Sequence, residues 1–511
     1  MKRAPNPCHV LYDFKNNYYL MKKNALLVTA LIVAIQLYSQ KTYQLDECRQ
    51  MALEHNKTLQ ISKETIKAAD ELKKAAFTQF LPNFSANAAY TWNEKNISLL
   101  GEDMYAPVYS YNSNGSVNYQ NSWNNSWAKV GDNYVPLDAN GSPFDPKSNP
   151  DKIEWKNKAY IPKDAFELDT KNIFVGTIGF TQPIFMGGKI RELYNISKAA
   201  ENLAKASDEK SKTDLLLDVD EAYWRVVSLQ NKVSLAIEYR NLIAKMDTDV
   251  ADMVDEGLTT KAELLKVKVK LNEADVMLTK AENGLSLSKM ALNQLCGLPL
   301  DTEYKLADTN LENGEDTKIL PIEQALNNRP EIKELNESKN IALSNQKIAF
   351  SRFLPNVGLS ANYLLSNPNA YNGYKNEFGG MFTVGVVANV PLFHFGDRIH
   401  TLNAAKAQVK IADLKIEETK EKMQLQIKQD SYKLIESIKK KDTARKNIEH
   451  AEENLKYASE GFKEGVITST DLLGAQTAWL SAKSENIDAL IDYRLCNLYL
   501  AKSQGITNTT K

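Results

Sequence analysis

The sequence predicts a mixed α and β membrane protein, in which a long coiled coil accompanies strands that only an oligomer can close into a transmembrane β-barrel. Three observations carry this. The stretch Pro183–Gly297 recurs without gaps, at an offset of 208 residues, as Pro391–Gly505. Each half of the chain, 40–300 and 301–511, holds two strands of about 10 residues that alternate apolar with polar or small side chains. Each copy also runs for almost seventy residues without a proline. A period above 200 residues marks a duplicated domain and not a solenoid.

At the N-terminus, Met21 to Ser39 reads MKKNALLVTALIVAIQLYS, two lysines followed by a largely apolar run of 13 residues and a small residue. That is the pattern of a secretory signal peptide, and it is too short for a transmembrane helix, which needs about 20 residues. Residues 1–39 are therefore expected to be a leader and signal peptide, with the true start at Met21 and cleavage near Ser39. Two repeats follow, 40–300 and 301–511.

The first repeat opens with a helix over 46–80 that must stop at Leu81-Pro82, because proline disfavours the α conformation in the residue before it. The period then changes from about 3.6 to 2. Phe84, Ala86, Ala88, Tyr90 and Trp92 alternate with Ser85, Asn87, Ala89, Thr91 and Asn93, giving a strand over about 84–98. Its partner, about 173–184, places Phe174, Ile178 and Phe180 opposite Thr177, Gly179 and Thr181. Between them lies a long loop, 93–171, rich in Asn, Ser, Tyr, Trp and Pro. The second repeat matches with strands at about 355–365 and 381–393. AFTQFLPNF (Ala76–Phe84) aligns with AFSRFLPNV (Ala349–Val357) at an offset of 273, so the first loop carries an insertion of 65 residues relative to the second. Four strands per chain cannot close a barrel and open edges are not tolerated in lipid, so two or three chains must share one barrel of at least about eight strands. A soluble sandwich with one half-buried face fits the strand pattern equally well when the pattern is taken alone.

After each strand pair comes a very long helix. Gly188 to Asp255 has no proline and no internal glycine, and at 1.5 Å per residue it extends about 100 Å. Leu215, Val219, Ala222, Val226, Leu229, Val233 and Ala236 step 4-3-4-3-4-3, which is a heptad seam. The equivalent positions of the second repeat include Asp430, Ser437 and Lys441, polar members that fit a seam partly facing water or a solvated stretch of an ordinary coiled coil. Each long helix ends in a tight turn, EGLTTKAELLKVK (Glu256–Lys268) and EGVITSTDLLGAQ (Glu464–Gln476). In each a glycine ends one helix, Thr260 or Thr468 caps the next, and Glu263 or Asp471 sits in its first turn, at the positive end of the helix dipole.

Composition removes several function classes. Lys and Arg number 63 against 64 Asp and Glu, so the net charge of −1 gives no reason to expect nucleic acid as a partner. Cleaving residues 1–39 would take away five basic and one acidic residue and leave −5. A mean hydropathy of −0.43 rules out a polytopic helical membrane protein. Cys48, Cys296 and Cys496 lack CxxC spacing and read as buried free thiols; the five His show no paired spacing, and no metal site or cofactor is expected. Without GxSxG, HExxH or a carboxylate pair in a plausible cleft, a hydrolase is disfavoured and no catalytic residue is assigned. The alternative to a membrane duct is an exported coiled-coil scaffold with a β-sandwich head, which does not account for the duplication around the strand pairs.

Taken with the duplication, the FLPNF and FLPNV junctions, QPIFMGGK and VPLFHFGD where strands give way to helices, and the two turns, the chain resembles the TolC family of outer-membrane efflux proteins over about residues 44–507. The resemblance implies a homotrimer in the Gram-negative outer membrane. A 12-stranded transmembrane β-barrel, four strands per chain, would then continue into a long α-helical coiled-coil barrel across the periplasm. Such a duct performs no catalysis and takes substrates from an inner-membrane pump through a periplasmic adaptor protein. The helical turns would form the periplasmic tip. The resemblance makes Asp471 and Glu263 the aperture residues, where three carboxylates in one narrow mouth would repel, raise their own pKa and favour cations. Gly257, Leu258, Thr259, Gly465, Val466, Ile467, Thr468 and Leu472 would dock the adaptor, since exposed apolar and small residues at a tip call for a cover. Gly474 and Ile467 stand where some family members carry a second acid and a gating arginine. The first turn is also the basic one, with Lys261, Lys266, Lys268 and Lys270.

Overall fold

The computed structural model describes residues 41–145, 152–308 and 317–506; the leader expected over 1–39 lies outside them. The chain divides into a helical unit (residues up to Phe77, Lys189–Phe350 and from Phe395) and a sheet unit (Thr78–Gly188 and Ser351–His394).

The helical unit contains α1 (Leu45–His55), α2 (Lys57–Thr78), α3 (Lys189–Asp255), α4 (Lys261–Cys296), α5 (Ile322–Asn328), α6 (Pro330–Ser351), α7 (Asp397–Lys463) and α8 (Ser469–Ser503). Helices α3 and α7 have 67 residues each, which makes them about 100 Å long. α3 packs along α4, α7 along α8, and α8 against α3. Of the seam read from the sequence, Leu215, Val219, Val226 and Ala236 are buried and Ala222, Leu229 and Val233 half-buried, while Tyr223 and Val227 beside it are fully buried; the buried face continues through Ile243 and Val250 to the end of α3. Two of the three polar members of the α7 seam are not solvated. Asp430 and Ser437 are buried within the single chain. The Ser437 hydroxyl donates to the Leu434 carbonyl at 2.8 Å, whereas Oδ2 of Asp430 has no partner among the described residues. Burial accordingly pushes the Asp430 carboxyl above its ordinary range, against the opposing pull of Ser503.

The single helix expected over 46–80 is two helices. Asn56 breaks it with an extended backbone (φ −65°, ψ 132°). Its side-chain oxygen accepts from Thr58 N–H at 2.8 Å and its amide donates to the Leu295 carbonyl at 3.2 Å. Asparagine can so replace both the lost helical bond and the next helix's cap. The second half uses a different residue for the same break: Arg329, between α5 and α6, donates to the Ser503 carbonyl at 2.9 Å and grips Glu331 through two nitrogens. The glycines ending α4 and α8 lie against these breaks in left-handed conformations. A Cβ on Gly297 would meet His55 Cβ at 2.6 Å, and one on Gly505 would meet Asn328 Cβ at 2.7 Å. Cys48 and Cys296 are buried and Cys296 Sγ donates to the Cys48 carbonyl at 3.6 Å, whereas Cys496 is part-exposed, contrary to its expected burial.

The sheet unit is one antiparallel meander, β1 (Asn83–Trp92), β2 (Asn172–Met186), β3 (Asn356–Asn367) and β4 (Gly379–Asn389), paired in that spatial order. β1 is shorter than the expected 84–98, because its ladder with β2 closes at Trp92 opposite Asn172 and residues 97–98 join a separate ribbon. β4 stops at Asn389 instead of 393, two residues before Pro391, which has no N–H to offer a ladder. In register across the four strands, Phe84, Phe180, Ala361 and Val384 form one row and Ala86, Ile178, Tyr363 and Phe382 the next. The opposite face carries Ser85, Gly179, Asn362 and Thr383. The apolar rows are largely uncovered in the single chain: Phe84, Ile178, Phe382, Val384 and Val386 are all exposed. β1 and β4 each pair on one side only among the described residues. No helix among those residues is long and apolar enough to cross a membrane.

The first strand connection is more structured than a loop. It folds back on itself as nested antiparallel ribbons, pairing Ile97–Ser98 with Glu167–Leu168, Met104–Pro107 with Lys158–Ile161 and Trp123 with Trp155.

Candidate functional site

The candidate site is the pair of helical turns at the ends of α3 and α7. Both are built by the same backbone device. At the first, Gly257 N–H donates to the Val254 carbonyl and Leu258 N–H to Met253; at the second, Gly465 N–H donates to Phe462 and Val466 N–H to Gly461. Each glycine has φ 73°, a left-handed value that costs it nothing, and the crossed bonds satisfy carbonyls the helix leaves open. Thr260 and Thr468 then cap α4 and α8, accepting from the N–H of Glu263 and Asp471. In the second turn the cap is reciprocal: Thr468 N–H and Oγ1 both donate to Asp471 Oδ2, at 3.3 and 2.7 Å.

The two turns touch through a contact that sequence reading missed. The Ser469 hydroxyl donates to the carboxylate of Glu263, 206 positions away in the chain, and Lys266 Nζ holds the same carboxylate at 2.7 Å. The Lys266 and Ser469 hydrogen bonds hold the Glu263 carboxyl below its usual range. Within one chain Glu263 is therefore a paired, ionised acid that ties the hairpins together. Ser469 is an unremarkable first-turn residue, and only the fold shows what it faces. Gly461 is the second such residue: a Cβ there would lie 2.7 Å from Ile467 Cδ1, so its absence lets Ile467 fold back onto α7.

Between the turns lies a cleft of about 620 Å³ lined by Met253, Leu258, Thr259, Glu263, Phe462 and Ile467, among others. Leu258 and Val466 project from the tips, 73% and 82% exposed, with Gly257, Gly465 and Thr468 also exposed and Thr259 and Ile467 half-buried. Leu472 is the exception among the expected docking residues. At 5% exposure it belongs to the core formed by α3, α4, α7 and α8, so its apolar side chain is already covered and is withdrawn from the tip surface. The repeats differ here: Leu265, equivalent to the buried Leu473, is exposed. Of the four tip lysines, Lys266 and Lys270 are engaged by Glu263 and Glu273.

Comparison with known proteins places this arrangement. The family model described as outer membrane efflux protein matches residues 159–298 and 321–505. The outer membrane protein TolC of Escherichia coli K12 is 21% identical over 362 residues, 68% of this chain and 72% of that protein. The cobalt-zinc-cadmium resistance protein CzcC of Cupriavidus metallidurans is 24% identical over 337 residues, 64% of this chain and 76% of that protein. In fold, the chain is similar to the Campylobacter jejuni CmeC outer membrane channel, with a TM-score of 0.67 at 17% identity, covering 91% of this chain and 87% of that one.

Proposed function

The chain belongs to the outer membrane efflux protein family, and on that premise we propose that three copies form the exit duct of a tripartite efflux or type I secretion system, taking substrates from an inner-membrane pump by way of a periplasmic adaptor. As a member it is an outer-membrane efflux channel and not an enzyme. The observation that carries an oligomer is the sheet, with four strands, one face of exposed Phe, Ile and Val, and two edge strands that pair on one side only among the described residues; the number three is taken from the family. In lipid every open backbone group costs several kcal/mol, so the edges of β1 and β4 must be closed by neighbours, and three chains supply twelve strands. The apolar rows then face outer-membrane lipid and the Ser, Asn and Thr rows the lumen. Native mass spectrometry of the protein in detergent is expected to give three chains per particle; a monomer or dimer overturns the reading.

Within that duct the turns are the periplasmic tip. Asp471 is the aperture acid, and Glu263 supports the aperture by fixing one hairpin to the other. Leu258 and Val466, flanked by Gly257, Thr259, Gly465, Ile467 and Thr468, dock the adaptor, since apolar side chains this exposed call for a covering partner. Asp471→Ala is expected to raise the conductance of the closed channel in planar bilayers and weaken its block by cations. Unchanged values for both would remove Asp471 from the aperture. Leu258→Asp and Val466→Asp are expected to abolish export in cells while leaving the trimer intact.

A further inference from the structure

The insertion in the first strand connection forms an open aromatic cavity. Its volume is about 790 Å³, within the range of small-molecule sites, and Tyr109, Tyr119, Trp123, Trp127, Tyr134 and Trp155 line it. The rings are held by one another. Trp123 stacks on Trp127 with centroids 5.3 Å apart and planes 16° apart, meets Trp155 edge-on at 6.1 Å and lies 5.0 Å from Tyr119; Tyr109 meets Trp155 edge-on at 4.9 Å. Tyr109, Tyr119 and Tyr134 nevertheless remain 40 to 58% exposed. The strand ladder closes below this region, at Trp92 opposite Asn172, and the second repeat makes its connection with the short segment 368–378, so the sheet itself does not require the insertion.

Two further facts narrow the ligand. Among the described residues the lining carries one carboxylate, Asp145, and no Lys, Arg or His, which leaves an anion without a counter-charge. The indole N–H groups of Trp123, itself 7% exposed, and of Trp127 are buried without an acceptor among the described residues. Leaving a buried donor unpaired costs about 1–3 kcal/mol, and folded proteins mostly avoid it. An organic cation would be attracted to the rings and to Asp145 but brings no acceptor for the indoles. An uncharged sugar brings both missing things, C–H faces that lie against aromatic rings and hydroxyl oxygens able to accept from an indole N–H.

We propose that the aromatic cavity of the insertion is a binding site for a neutral oligosaccharide. The site is separate from the turns between the long helices, and the ligand is held by stacking on Tyr119, Tyr134 and Trp155 with hydrogen bonds from Trp123 and Trp127.

The test titrates the full chain in detergent with maltotriose, cellotriose and N,N′,N″-triacetylchitotriose while following tryptophan fluorescence, and with tetramethylammonium as the cation control. At least one sugar is expected to give a saturable change, and Tyr119→Ala and Tyr134→Ala are each expected to weaken it about tenfold, the equivalent of one lost stacking contact. These two tyrosines are half-exposed, so their variants are expected to retain the native circular dichroism spectrum; Trp155→Ala serves as a third variant. The proposal is overturned if no sugar gives saturation, if the response survives both tyrosine variants unchanged, or if only tetramethylammonium saturates. Binding requires only a folded insertion, so it can fail while the trimer mass and conductance stand, and the reverse.

Discussion

Glu263 shows how one side chain changes meaning between sequence and fold. Its place in a first turn is legible in the sequence, but its partner Ser469 is not, because nothing local brings positions 263 and 469 together. Its folded carboxyl titrates below the ordinary 4.5, so the tie it makes is fully present above that value and is lost as pH falls through the depressed one. Spin labels at Thr259 and Thr470 are therefore expected to hold one distance from pH 7 down to the ordinary 4.5 and to spread only below it; Ser469→Ala should spread them already at neutral pH. Asp430 has the opposite sign. Its folded pKa is raised, so its penalty is fully present above the raised value and vanishes below the ordinary 3.8. Asp430→Asn is expected to stabilise the protein at neutral pH by about 1 kcal/mol in chemical denaturation. Two glycines with similar backbone angles separate by what surrounds them. Gly257→Ala meets open space and costs only the left-handed backbone, about 1–2 kcal/mol, whereas Gly297→Ala also drives a Cβ into His55 and should cost about 2–4 kcal/mol.

Among elements, the long helices were the most legible. A heptad seam over 215–236 and the absence of proline specify the helix α3 and the centre of its buried face, while Tyr223 and Val227, buried beside the seam, show that its full width is set by the packing of α4 and α8. The break at Asn56 was hidden, because asparagine within a helical pattern reads as a weak helix residue until the Leu295 carbonyl is seen beside it. Strand pairing was legible in its alternation, and strand ends were not, because the last rung of β1 depends on where β2 begins. The insertion was legible only as composition, its ribbons being too short to show a period. Replacing residues 95–169 with a short Gly-Ser turn is expected to leave trimer mass and export within about twofold of the intact protein, because the deletion removes no rung of the four-stranded ladder. Dissociation of the trimer in gel filtration would show that the ribbons hold neighbouring chains together.

For the whole molecule, counting strands was the decisive inference available from sequence. Four amphipathic strands demand neighbours, whatever their side chains. The direction of the apolar face was readable too, and the structure adds the register that lines Phe84, Phe180, Ala361 and Val384 into one row. What the sequence withheld was the packing at the tips, where Leu472 lies in the core and not on the surface and Glu263 meets Ser469. Both contacts share a cause: the residues are defined by the opposite hairpin, about two hundred positions away.

The insertion occupies only one of two otherwise similar strand connections. In evolutionary terms, a chain with two connections of the same kind can keep one, 368–378, as the plain solution and release the other to vary. Residues 95–169 are then where relatives of this chain are expected to differ most in length and chemistry, because changes there leave every rung of the four-stranded ladder in place.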